Sequence, residues 1–546
     1  MLFNDKILVG KNESSELFIL PNMANRHGLI TGASGTGKTI TLKVIAESFS
    51  QAGVPVFMAD VKGDLASTAL EGNLEKIQSR VDKLQLDGFK TNFFPVHFWD
   101  LYGKHGHPIR ANIGKVGPEI LSIMLGLTEA QEGNLTIAFA IAKDKHLPLV
   151  DLSDLKALLA HVSENRAEYI GTYGNITPQS IGVIQRSLLS LENQGAGHFF
   201  GEPELDIADF FATNTQDGRG FINILHAVEL FQNPDLYAAF LLWLLTRLFT
   251  ESPEVGDLEK PRMIFFFDEA HLLFNDMPAY RLKRITQVVK LIRSRGIGLY
   301  FVSQAPTDIP DEVLAQLSNR VQHALRAYTP AEQKTVKAAA DAFRTNPKFN
   351  TEQAISELGT GEALISFLDE KGAPRIVERA TILPPQSQMG TLDDSIRAKI
   401  LQYSSLSGKY EEAQNPISAQ EMLNGTTQQT APQAPIAPAE QSNTINTNLE
   451  PAQPMTETEK FMAQKQELAA RKQALAEQKL ALQEQKLANQ KAREEAKAAE
   501  QLAKQKAKSQ SKIEKTLTTG VQRGVTNAIS NGVKTAITKG IKGLFK

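Results

Sequence analysis

The sequence contains no cysteine. Disulfide bonds, zinc sites with cysteine ligands and cysteine nucleophiles are therefore excluded. Long apolar runs are also missing, because the longest, residues 236–249, has about 14 residues and includes Arg247, whereas a membrane-spanning helix needs roughly 20. We interpret this run as a buried helix. The first residues, MLFNDKILVGKNE, show no apolar segment after a basic start, so no signal peptide is expected and the composition fits a cytoplasmic protein.

The formal net charge of −2 conceals an uneven distribution of charge. Residues 457–546 carry 19 Lys/Arg and 9 Asp/Glu, whereas the residues before them carry 40 and 52. An acidic body with a basic tail predicts that the tail meets an anionic partner. DNA and an anionic membrane surface both fit this prediction, so a peripheral position at a membrane stays open.

Apolar runs of strand length alternate with helical patterns through about the first 400 residues. Strands are predicted at residues 28–31, 55–59, 221–225, 264–267, 298–303, 321–325, 363–367 and 375–378. Helices are predicted after many of them, including residues 39–51, 236–249 and 279–295. This alternation is typical of an α/β fold with a mostly parallel sheet covered on both faces. Residues 65–218 look largely helical and are predicted to form an inserted subdomain.

A glycine-rich loop follows the first of these strands. Residues 32–39 read GASGTGKT, the pattern of a phosphate-binding P-loop between a strand and a helix. In this pattern the backbone N–H groups surround phosphate oxygens, Lys38 reaches the β and γ phosphates, and the Thr39 hydroxyl is a ligand of Mg²⁺. The positive end of the following helix attracts the same anion. The predicted nucleotide-binding residues are Gly32, Ala33, Ser34, Gly35, Thr36, Gly37, Lys38 and Thr39.

A P-loop requires a second, acidic element, and residues 263–271 (MIFFFDEAH) fit it. Their apolar strand ends at Asp268 and Glu269. We expect Asp268 to hold Mg²⁺ and Glu269 to be the general base that activates the attacking water. A third apolar strand, residues 298–303, ends at Gln304, whose side chain is placed to orient this water and to sense the γ-phosphate. Together these residues predict an enzyme that hydrolyses ATP with Mg²⁺.

Phosphoryl transfer also needs positive charge opposite the leaving group, often an arginine supplied by a neighbouring subunit. Arg320 and Arg326, in the stretch SNRVQHALRAY, are the main candidates for this role. Arg293 and Arg295 are further candidates. Each of the four also suits a surface cation or a salt-bridge partner.

The stretch ADVKGD, which contains Asp60, Lys62 and Asp64, closes the second predicted strand. These side chains suit contact with nucleotide or with a coupling element, and equally the capping of a helix. In their order along the chain, the P-loop, ADVKGD, IFFFDEAH and FVSQAP resemble the HerA-like ATPases of the HerA–FtsK branch. The likeness is closest to the YjgR-type bacterial subfamily, described as HerA-like helicases, and it covers roughly residues 1–400.

This resemblance implies a RecA-like fold, DNA translocation, and ATP hydrolysis at the subunit interfaces of a ring that is expected to be a hexamer. Arg320 is the best match for the arginine that reaches a neighbour's site. About 31 residues precede Gly32, too few for the N-terminal β-barrel of typical HerA proteins, so no such barrel is expected. The residues that fall on the family's nucleotide-site positions are Lys38, Thr39, Asp268, Glu269 and Gln304.

Composition divides the chain into six segments. The linker is rich in Gln, Thr, Pro, Asn and Ala, which predicts disorder, and the next segment has no Gly or Pro, which favours a helix. The predicted segments are the first part of the ATPase core (1–64), the helical insertion (65–218), the rest of the core (219–400), a disordered linker (401–456), a charged helix or weak coiled coil (457–512) and a basic tail of small and apolar residues (513–546).

Two functions fit these features. The first is a DNA-directed ring motor, either a translocase or a helicase. The second is an ATPase switch or assembly scaffold that the C-terminal helix and basic tail dock on a protein partner or a membrane. The acidic body disfavours general DNA binding, because affinity for DNA comes largely from Lys and Arg on phosphates, although a basic ring lumen can be hidden in the total charge.

Overall fold

The computed structural model of the protein describes residues 1–274 and 279–425. The predicted charged helix at 457–512, the predicted basic tail at 513–546 and the predicted linker beyond residue 425 lie outside these ranges. Among the helices in the described ranges, none combines the length and the apolar character that a membrane crossing requires.

Thirteen strands of the described residues form one sheet. The strands are β1 (Leu2–Phe3), β2 (Lys6–Lys11), β3 (Glu16–Ile19), β4 (Gly28–Thr31), β5 (Val56–Asp60), β6 (Val96–Asp100), β7 (His107–Pro108), β8 (Ile222–His226), β9 (Met263–Phe267), β10 (Ile297–Ser303), β11 (Asn319–Gln322), β12 (Glu362–Ser366) and β13 (Glu378–Ile382). Their order across the sheet is β1-β2-β13-β12-β11-β4-β10-β9-β5-β8-β6-β7, and β3 pairs with β2 outside this path.

The strands from β11 to β7 are parallel to one another. The strands β12, β13, β2, β1 and β3 extend the sheet in antiparallel pairs. The P-loop strand β4 lies between β11 and β10, and β10 separates it from the acidic strand β9. The predicted α/β fold with a mostly parallel sheet is thereby confirmed.

Helices cover both faces of this sheet. The α-helices of the described residues are α1 (Lys38–Gln51), α2 (Leu74–Leu84), α3 (Ile113–Met124), α4 (Glu129–Asp144), α5 (Leu152–Glu164), α6 (Arg166–Tyr173), α7 (Pro178–Asn193), α8 (Pro234–Glu251), α9 (Ala279–Leu291), α10 (Asp311–Leu314), α11 (Pro330–Asp341), α12 (Thr351–Glu357), α13 (Asp394–Gln402) and α14 (Ala419–Leu423). We refer to α3–α7 as the helical lobe.

Successive residues of the central strands contribute to two different cores, because side chains alternate across a strand. In β5, Phe57 and Ala59 join the core shared with the helical lobe and α8, whereas Val56 and Met58 join the core shared with α1. Both faces of these strands are therefore buried. This double burial explains why the central strands read as continuous apolar runs such as MIFFF in β9.

The apolar run at residues 236–249 lies within α8, as the sequence predicted. The side chain of Phe240 is fully buried and that of Trp243 is 2% exposed. Both rings contact Phe199 of the helical lobe's C-terminal connection, with ring centroids 5.7 and 4.9 Å apart. The run is therefore apolar because it packs inside the protein.

Residues 65–218 are mainly helical, but the structure corrects their assignment as a separate inserted subdomain. The strand β6 lies in this stretch and pairs in parallel with β8. Its Trp99 is fully buried, and Trp99 Nε1 donates a hydrogen bond to Asn223 Oδ1 of β8 at 3.0 Å. The helical lobe and the sheet thus share one core. Periodicity does not reveal β6, because an apolar run as short as VHFWD fits a strand and a helical turn equally well.

The first part of the predicted disordered linker is ordered, which corrects that prediction for residues 401–425. α13 continues past residue 401, and we call the residues that follow it, 403–425, the C-terminal strap. Tyr410 in this strap is fully buried, and Arg110 Nη1 donates to its carbonyl oxygen at 2.6 Å. His107 Nδ1 lies 2.7 Å from Glu411 Oε1. Composition misleads here because a few specific contacts, rather than an apolar pattern, hold the strap.

Two tyrosines of the strap allow a matched test of this packing. Tyr410→Ala should lower the free energy of unfolding by about 3–5 kcal/mol, as do other deletions of a large buried ring. Tyr403→Ala should change it by less than about 0.5 kcal/mol, because Tyr403 is 83% exposed. Urea unfolding followed by tryptophan fluorescence suits the measurement, because the Trp99 and Tyr410 rings are 5.5 Å apart. Equal effects of the two substitutions would contradict the ordered strap.

The neutral form of His27 is built into the core between β4 and β10. Its Nε2 lies 2.8 Å from the carbonyl oxygen of Val289, and its Nδ1 accepts a hydrogen bond from the backbone N–H of Leu299 at 3.0 Å. Only a neutral ring with the proton on Nε2 makes both bonds. Burial lowers the pKa of His27 from 6.5 to about 4.

This depressed pKa predicts a pH-dependent contribution to stability. Since the unfolded chain binds a proton on His27 below pH 6.5 and the folded chain does not, the stabilisation is complete above pH 6.5 and is lost as the pH falls towards 4. The difference in the free energy of unfolding between wild type and His27→Gln should therefore shrink by about 1.4 kcal/mol per pH unit in this window. Urea unfolding at pH 7, 6 and 5 measures it. His198→Gln, at an exposed position, is the control, and a constant difference for His27→Gln would contradict the prediction.

Candidate nucleotide-binding and hydrolysis site

The P-loop is the connection from β4 to α1. Gly37 adopts a left-handed conformation with φ of 116° immediately before α1 begins, and its missing side chain leaves room for Gly361, whose Cα would lie 3.3 Å from a Cβ. Gly32 has φ of 152°, and a Cβ there would lie 2.5 Å from the Cβ of His323. Both positions favour glycine, because side chains rarely adopt these conformations, and at Gly32 the atoms of His323 leave no space for a Cβ.

Backbone hydrogen bonds from other elements hold the loop in this shape. The backbone N–H of Ala33 donates to the carbonyl oxygen of Ala324 at 2.8 Å, just after β11. The backbone N–H of Gly361, just before β12, donates to the carbonyl oxygen of Thr36 at 2.9 Å. The loop is thus fixed by the sheet, and the N-terminus of α1 faces the same cleft, which favours an anion there.

Lys38 lies in the mouth of the loop. Its Nζ donates hydrogen bonds to the carbonyl oxygens of Gly32 and Ala33, at 2.6 and 3.2 Å. Burial lowers the pKa of the Lys38 ammonium, and the positive charge of Lys62 lowers it further. A cleft of about 280 Å³ opens here. The P-loop residues that line this cleft are Ser34, Gly35, Gly37, Lys38 and Thr39.

Asp268 and Glu269 follow β9, at the same edge of the sheet as the P-loop. Asp268 Oδ1 accepts a hydrogen bond from the backbone N–H of Glu269 at 2.9 Å, and the hydroxyl of Tyr237 donates to the carbonyl oxygen of Asp268 at 3.0 Å. Burial raises the pKa of Asp268 to about 7, and the negative charge of Glu269 adds to the shift. Two acids are therefore held close together in a poorly solvated place.

Glu269 has an unusual backbone and a poorly satisfied carboxylate. Its φ of 49° is left-handed, and its Oε2 is buried without a hydrogen-bond partner among the described residues. Two side chains stand near its oxygens: Lys62 Nζ is 3.6 Å from Oε1, and His271 Nδ1 is 3.5 Å from Oε2. A strained residue with an unpaired buried oxygen is typical of a functional site.

The oxygen atoms at this edge fit a magnesium ion shared with phosphate. In the ranges that the structure describes, no group of three acidic or histidine side chains is placed to hold a metal alone. Mg²⁺ is commonly bound by one or two protein oxygens together with substrate phosphates. Thr39 and Asp268 supply a hydroxyl and a carboxylate of that kind, and their roles as Mg²⁺ ligands stay a prediction.

Gln304 lies at the end of β10, beside the P-loop. Its backbone carbonyl oxygen accepts a hydrogen bond from the N–H of Gly32 at 3.2 Å, and its side chain is exposed. The strand pairing places it there, because Ser303 is in register with Thr31. The predicted position beside the phosphate loop is thus present, while its role in orienting water stays a prediction.

The structure gives Arg320 a structural role that the sequence did not reveal. Its guanidinium donates hydrogen bonds to the carbonyl oxygens of Leu317, Ala342 and Leu314, at 3.0, 3.2 and 3.1 Å. Leu314 and Ala342 lie at the C-terminal ends of α10 and α11, where such carbonyls lack helical partners. Arg320 therefore binds helix ends inside its own subunit, and its role at a neighbour's site stays a prediction.

The other candidate arginines also have partners within the chain. Arg326 donates to the carbonyl oxygens of Ser356 and Leu358 at the end of α12, the latter at 3.0 Å. The predicted second arginine is therefore also not free. Arg293 and Arg295 form ion pairs with Asp257 and Glu254, at 3.4 and 3.5 Å.

The stretch ADVKGD was predicted either to contact nucleotide or to cap a helix, and its residues differ in this respect. The carboxylate of Asp60 accepts backbone N–H groups of Gly63, Leu65 and Ala66, at 2.7, 3.2 and 3.0 Å. Asp60 thus caps the turn that follows β5. Lys62 extends from this turn to Glu269, and Lys62 and Asp64 line the same cleft as the P-loop.

His323 is a buried residue beneath the P-loop that the motifs did not indicate. Its Nε2 lies 2.8 Å from the Thr41 hydroxyl of α1, and its Nδ1 lies 3.0 Å from the carbonyl oxygen of Glu362. Burial lowers its pKa to about 4. Nothing in the strand sequence NRVQH distinguishes this histidine from an ordinary strand-end residue, so only the packing identifies it as a support of the loop.

A buried pair of charges on α1 was also missed. Lys43 Nζ donates to the carbonyl oxygen of Gln388 at 2.5 Å, and burial lowers its pKa to about 8. Glu47 accepts backbone N–H groups of Gln386 and Ser387, at 2.7 and 3.2 Å, and burial raises its pKa. The pair holds residues 386–388 against the P-loop helix. The i,i+4 spacing of the pair is the only sequence signal, and it normally predicts a surface salt bridge.

The geometry predicts that binding and hydrolysis can be separated by substitution. Glu269→Gln should lower kcat for ATP hydrolysis by about 10²–10⁴-fold, the usual loss for a general base, without weakening ATP binding. Glu229→Gln removes a carboxylate from an exposed ion pair with Lys104 and should leave kcat unchanged. Steady-state hydrolysis and equilibrium nucleotide binding measure the two quantities. Unchanged kcat in Glu269→Gln would remove Glu269 from the role of base.

Comparisons with known proteins place the chain in a family. The family model described as "Helicase HerA-like C-terminal" matches residues 5–494. The DNA double-strand break repair helicase HerA of Sulfurisphaera tokodaii is 23% identical over 372 residues, which are 66% of this chain and 66% of that protein. The protein of the same name from Saccharolobus solfataricus is 24% identical over 368 residues, 66% of this chain and 64% of that protein. The matched part thus spans slightly less than two thirds of these relatives.

Among solved structures, the bacterial conjugative coupling protein TrwBdeltaN70 overlaps with 70% of this chain and 92% of its own chain, at a TM-score of 0.45 and 13% identity. The family model, by contrast, covers most of the present sequence. The chain therefore belongs to the HerA-like helicase C-terminal family, which confirms the family resemblance of its motifs.

Proposed function

We propose that the protein is a Mg²⁺-dependent ATPase motor that translocates along DNA or unwinds it as a ring of identical subunits, expected to be a hexamer. The observation that carries this proposal is the convergence of Lys38, Asp268 and Glu269 on one edge of the sheet, from β4 and β9. The relatives from Sulfurisphaera tokodaii and Saccharolobus solfataricus are named DNA repair helicases, which supports DNA as the partner. The placement in the YjgR-type subfamily stays a prediction.

The residues at the site divide the work of hydrolysis. The P-loop N–H groups, the N-terminus of α1 and Lys38 bind the β and γ phosphates. Thr39 and Asp268 would hold Mg²⁺, which neutralises phosphate charge when bound. As the oxygen of the attacking water bonds to the γ-phosphorus, Glu269 accepts a proton from that water. The bond from this phosphorus to the bridging oxygen breaks, and ADP departs with that electron pair. Gln304 orients the water.

The chemistry requires a buried base with a free oxygen, and Glu269 offers one. Its side chain is 11% exposed, and its Oε2 is without a hydrogen bond among the described residues. A partly buried carboxylate makes fewer contacts with water than an exposed one, and its backbone fixes its position. Arg320 and Arg326 cap helices of their own subunit, and the arginine that would reach a neighbouring subunit's site stays a prediction.

The segment 457–546 is proposed to meet the backbone of DNA or an anionic membrane, in a protein that works in the cytoplasm. Its excess of Lys and Arg is the sequence observation behind this proposal. The second candidate function, an ATPase switch or scaffold docked on a membrane or protein partner, depends on the same segment. A chain that ends after Gly425 keeps the C-terminal strap and removes this segment, so it separates the two functions.

The proposed function predicts DNA-stimulated ATPase activity. The ATPase rate of the full chain should rise with double- or single-stranded DNA at low salt and lose this stimulation as salt increases, because Lys and Arg contacts to phosphates are screened. Lys38→Ala should abolish the activity. Lys104→Ala, which removes a lysine from an exposed ion pair, is the matched control and should keep it.

Different outcomes of this experiment bear on different parts of the proposal. Stimulation by DNA that survives in the chain ending after Gly425 supports the motor. A rate indifferent to DNA at low salt contradicts the motor, and loss of membrane or partner association in the shortened chain then supports the scaffold. Equal rates in Lys38→Ala and wild type would overturn the ATPase assignment itself.

A further inference from the structure

Lys62 occupies a well-defined turn at the edge of the nucleotide cleft. It follows β5, which pairs with β9, so it stands beside Glu269. Asp60 fixes the backbone of this turn by accepting three N–H groups, whereas the Lys62 side chain is 53% exposed. A cation on a rigid turn with a mobile side chain can change partners without a change of fold.

The observed partner of Lys62 is the proposed base. Lys62 Nζ lies 3.6 Å from Glu269 Oε1, a distance at which two charges attract without a close hydrogen bond. The Glu269 carboxylate is therefore held in an ion pair while Lys62 stands beside it.

A second partner for Lys62 is available in the same cleft. Lys62 lines it together with Lys38 and Thr39, the residues assigned to the phosphates and Mg²⁺. The two ammonium groups repel each other, since Lys62 contributes to the lowered pKa of Lys38. A triphosphate offsets this repulsion better than a diphosphate, because its terminal group carries the additional negative charge.

We propose that Lys62 exchanges its Glu269 partner for the terminal phosphate of a bound nucleoside triphosphate, which releases Glu269 to activate the attacking water. The exchange rests on the proposed ATPase function and adds a residue to it. After hydrolysis and loss of phosphate, Lys62 returns to Glu269. The same lysine thus distinguishes the triphosphate from the diphosphate and couples that distinction to the release of Glu269.

The exchange predicts a specific defect in Lys62→Met. In the full chain, the preference for ATPγS over ADP in equilibrium binding should fall about tenfold, as for the loss of one hydrogen bond to a charged group. ADP affinity should stay nearly unchanged, and kcat should fall. Lys62→Arg keeps the charge and should restore much of the preference. Lys104→Met is the matched control, because Lys104 is 57% exposed and paired with Glu229.

A second background tests the exchange itself. In Glu269→Gln the neutral amide no longer holds Lys62, so ATPγS should bind more tightly than to wild type. Adding Lys62→Met to Glu269→Gln should then cost more ATPγS affinity than Lys62→Met costs in wild type. If Lys62 only positions Glu269, kcat falls in Lys62→Met but the ratio of ATPγS to ADP affinity does not change, and this result would overturn the proposal.

Failure of the proposed function gives a different result. If wild type and Lys38→Ala hydrolyse ATP at the same rate, the ATPase assignment fails and the exchange fails with it. If hydrolysis depends on Lys38 but the binding ratio is unaffected by Lys62→Met, only the exchange is overturned. Thermal unfolding of each variant establishes that a change in binding does not come from a loss of folded protein.

Discussion

Parallel pairing at the centre of the sheet is the constraint on which the rest of this structure depends. The strands β4, β10, β9 and β5 run in the same direction, so their carboxyl ends and the loops that follow them meet at one edge. The register fixes the details: Ser303 stands opposite Thr31, and Phe301 opposite Phe267. A slip by one residue would turn each buried side chain to the other face, and burial on both faces opposes such a slip. The positions of Lys38, Glu269 and Gln304 follow from this apolar register.

At this edge of the sheet, side chains of like charge lie close together and are only partly neutralised by other groups of the protein. Burial and Glu269 raise the pKa of Asp268 to about 7, while burial and Lys62 lower the pKa of Lys38. Like charges thus stand close together in a place with little water. Groups with strongly shifted pKa values in a cleft are characteristic of functional sites. A phosphate chain with its cation supplies the opposite charges, which makes the nucleotide part of the electrostatic balance of the fold.

Much of the site could be predicted because its motifs are local. The P-loop needs a strand, a glycine-rich turn and a helix in direct succession, and residues 28–51 contain all three. The stretch MIFFF, followed by two acidic residues, likewise predicts a buried strand that ends in carboxylates. The strands β4, β5 and β8–β12 were predicted, but not the whole sheet. The antiparallel strands β1–β3 and the short β6 were missed, because brief apolar runs carry no period that identifies a strand.

Roles that depend on distant partners could not be predicted. Arg320 suits a catalytic arginine by its residue type and position, yet it caps α10 and α11, whose ends lie 6 and 22 residues away along the chain. The strap shows the same limitation, because the Tyr410 hydroxyl bonds to Asp209, which lies 201 positions earlier. In both cases the deciding contact is a hydrogen bond or a packed ring between segments that no local pattern relates.

The sequence by itself therefore determined the fold class, the phosphate loop, the two acids and the family, because each is encoded in a continuous stretch of residue types. Only the tertiary structure decided which polar groups are free to act. In the folded chain Asp60 accepts hydrogen bonds within a turn, and Lys62 lies beside Glu269. Arg320 and Arg326 donate hydrogen bonds to carbonyl groups at helix ends. The physical reason is that a polar side chain takes the nearest unsatisfied partner in space, and the folded chain alone brings that partner near.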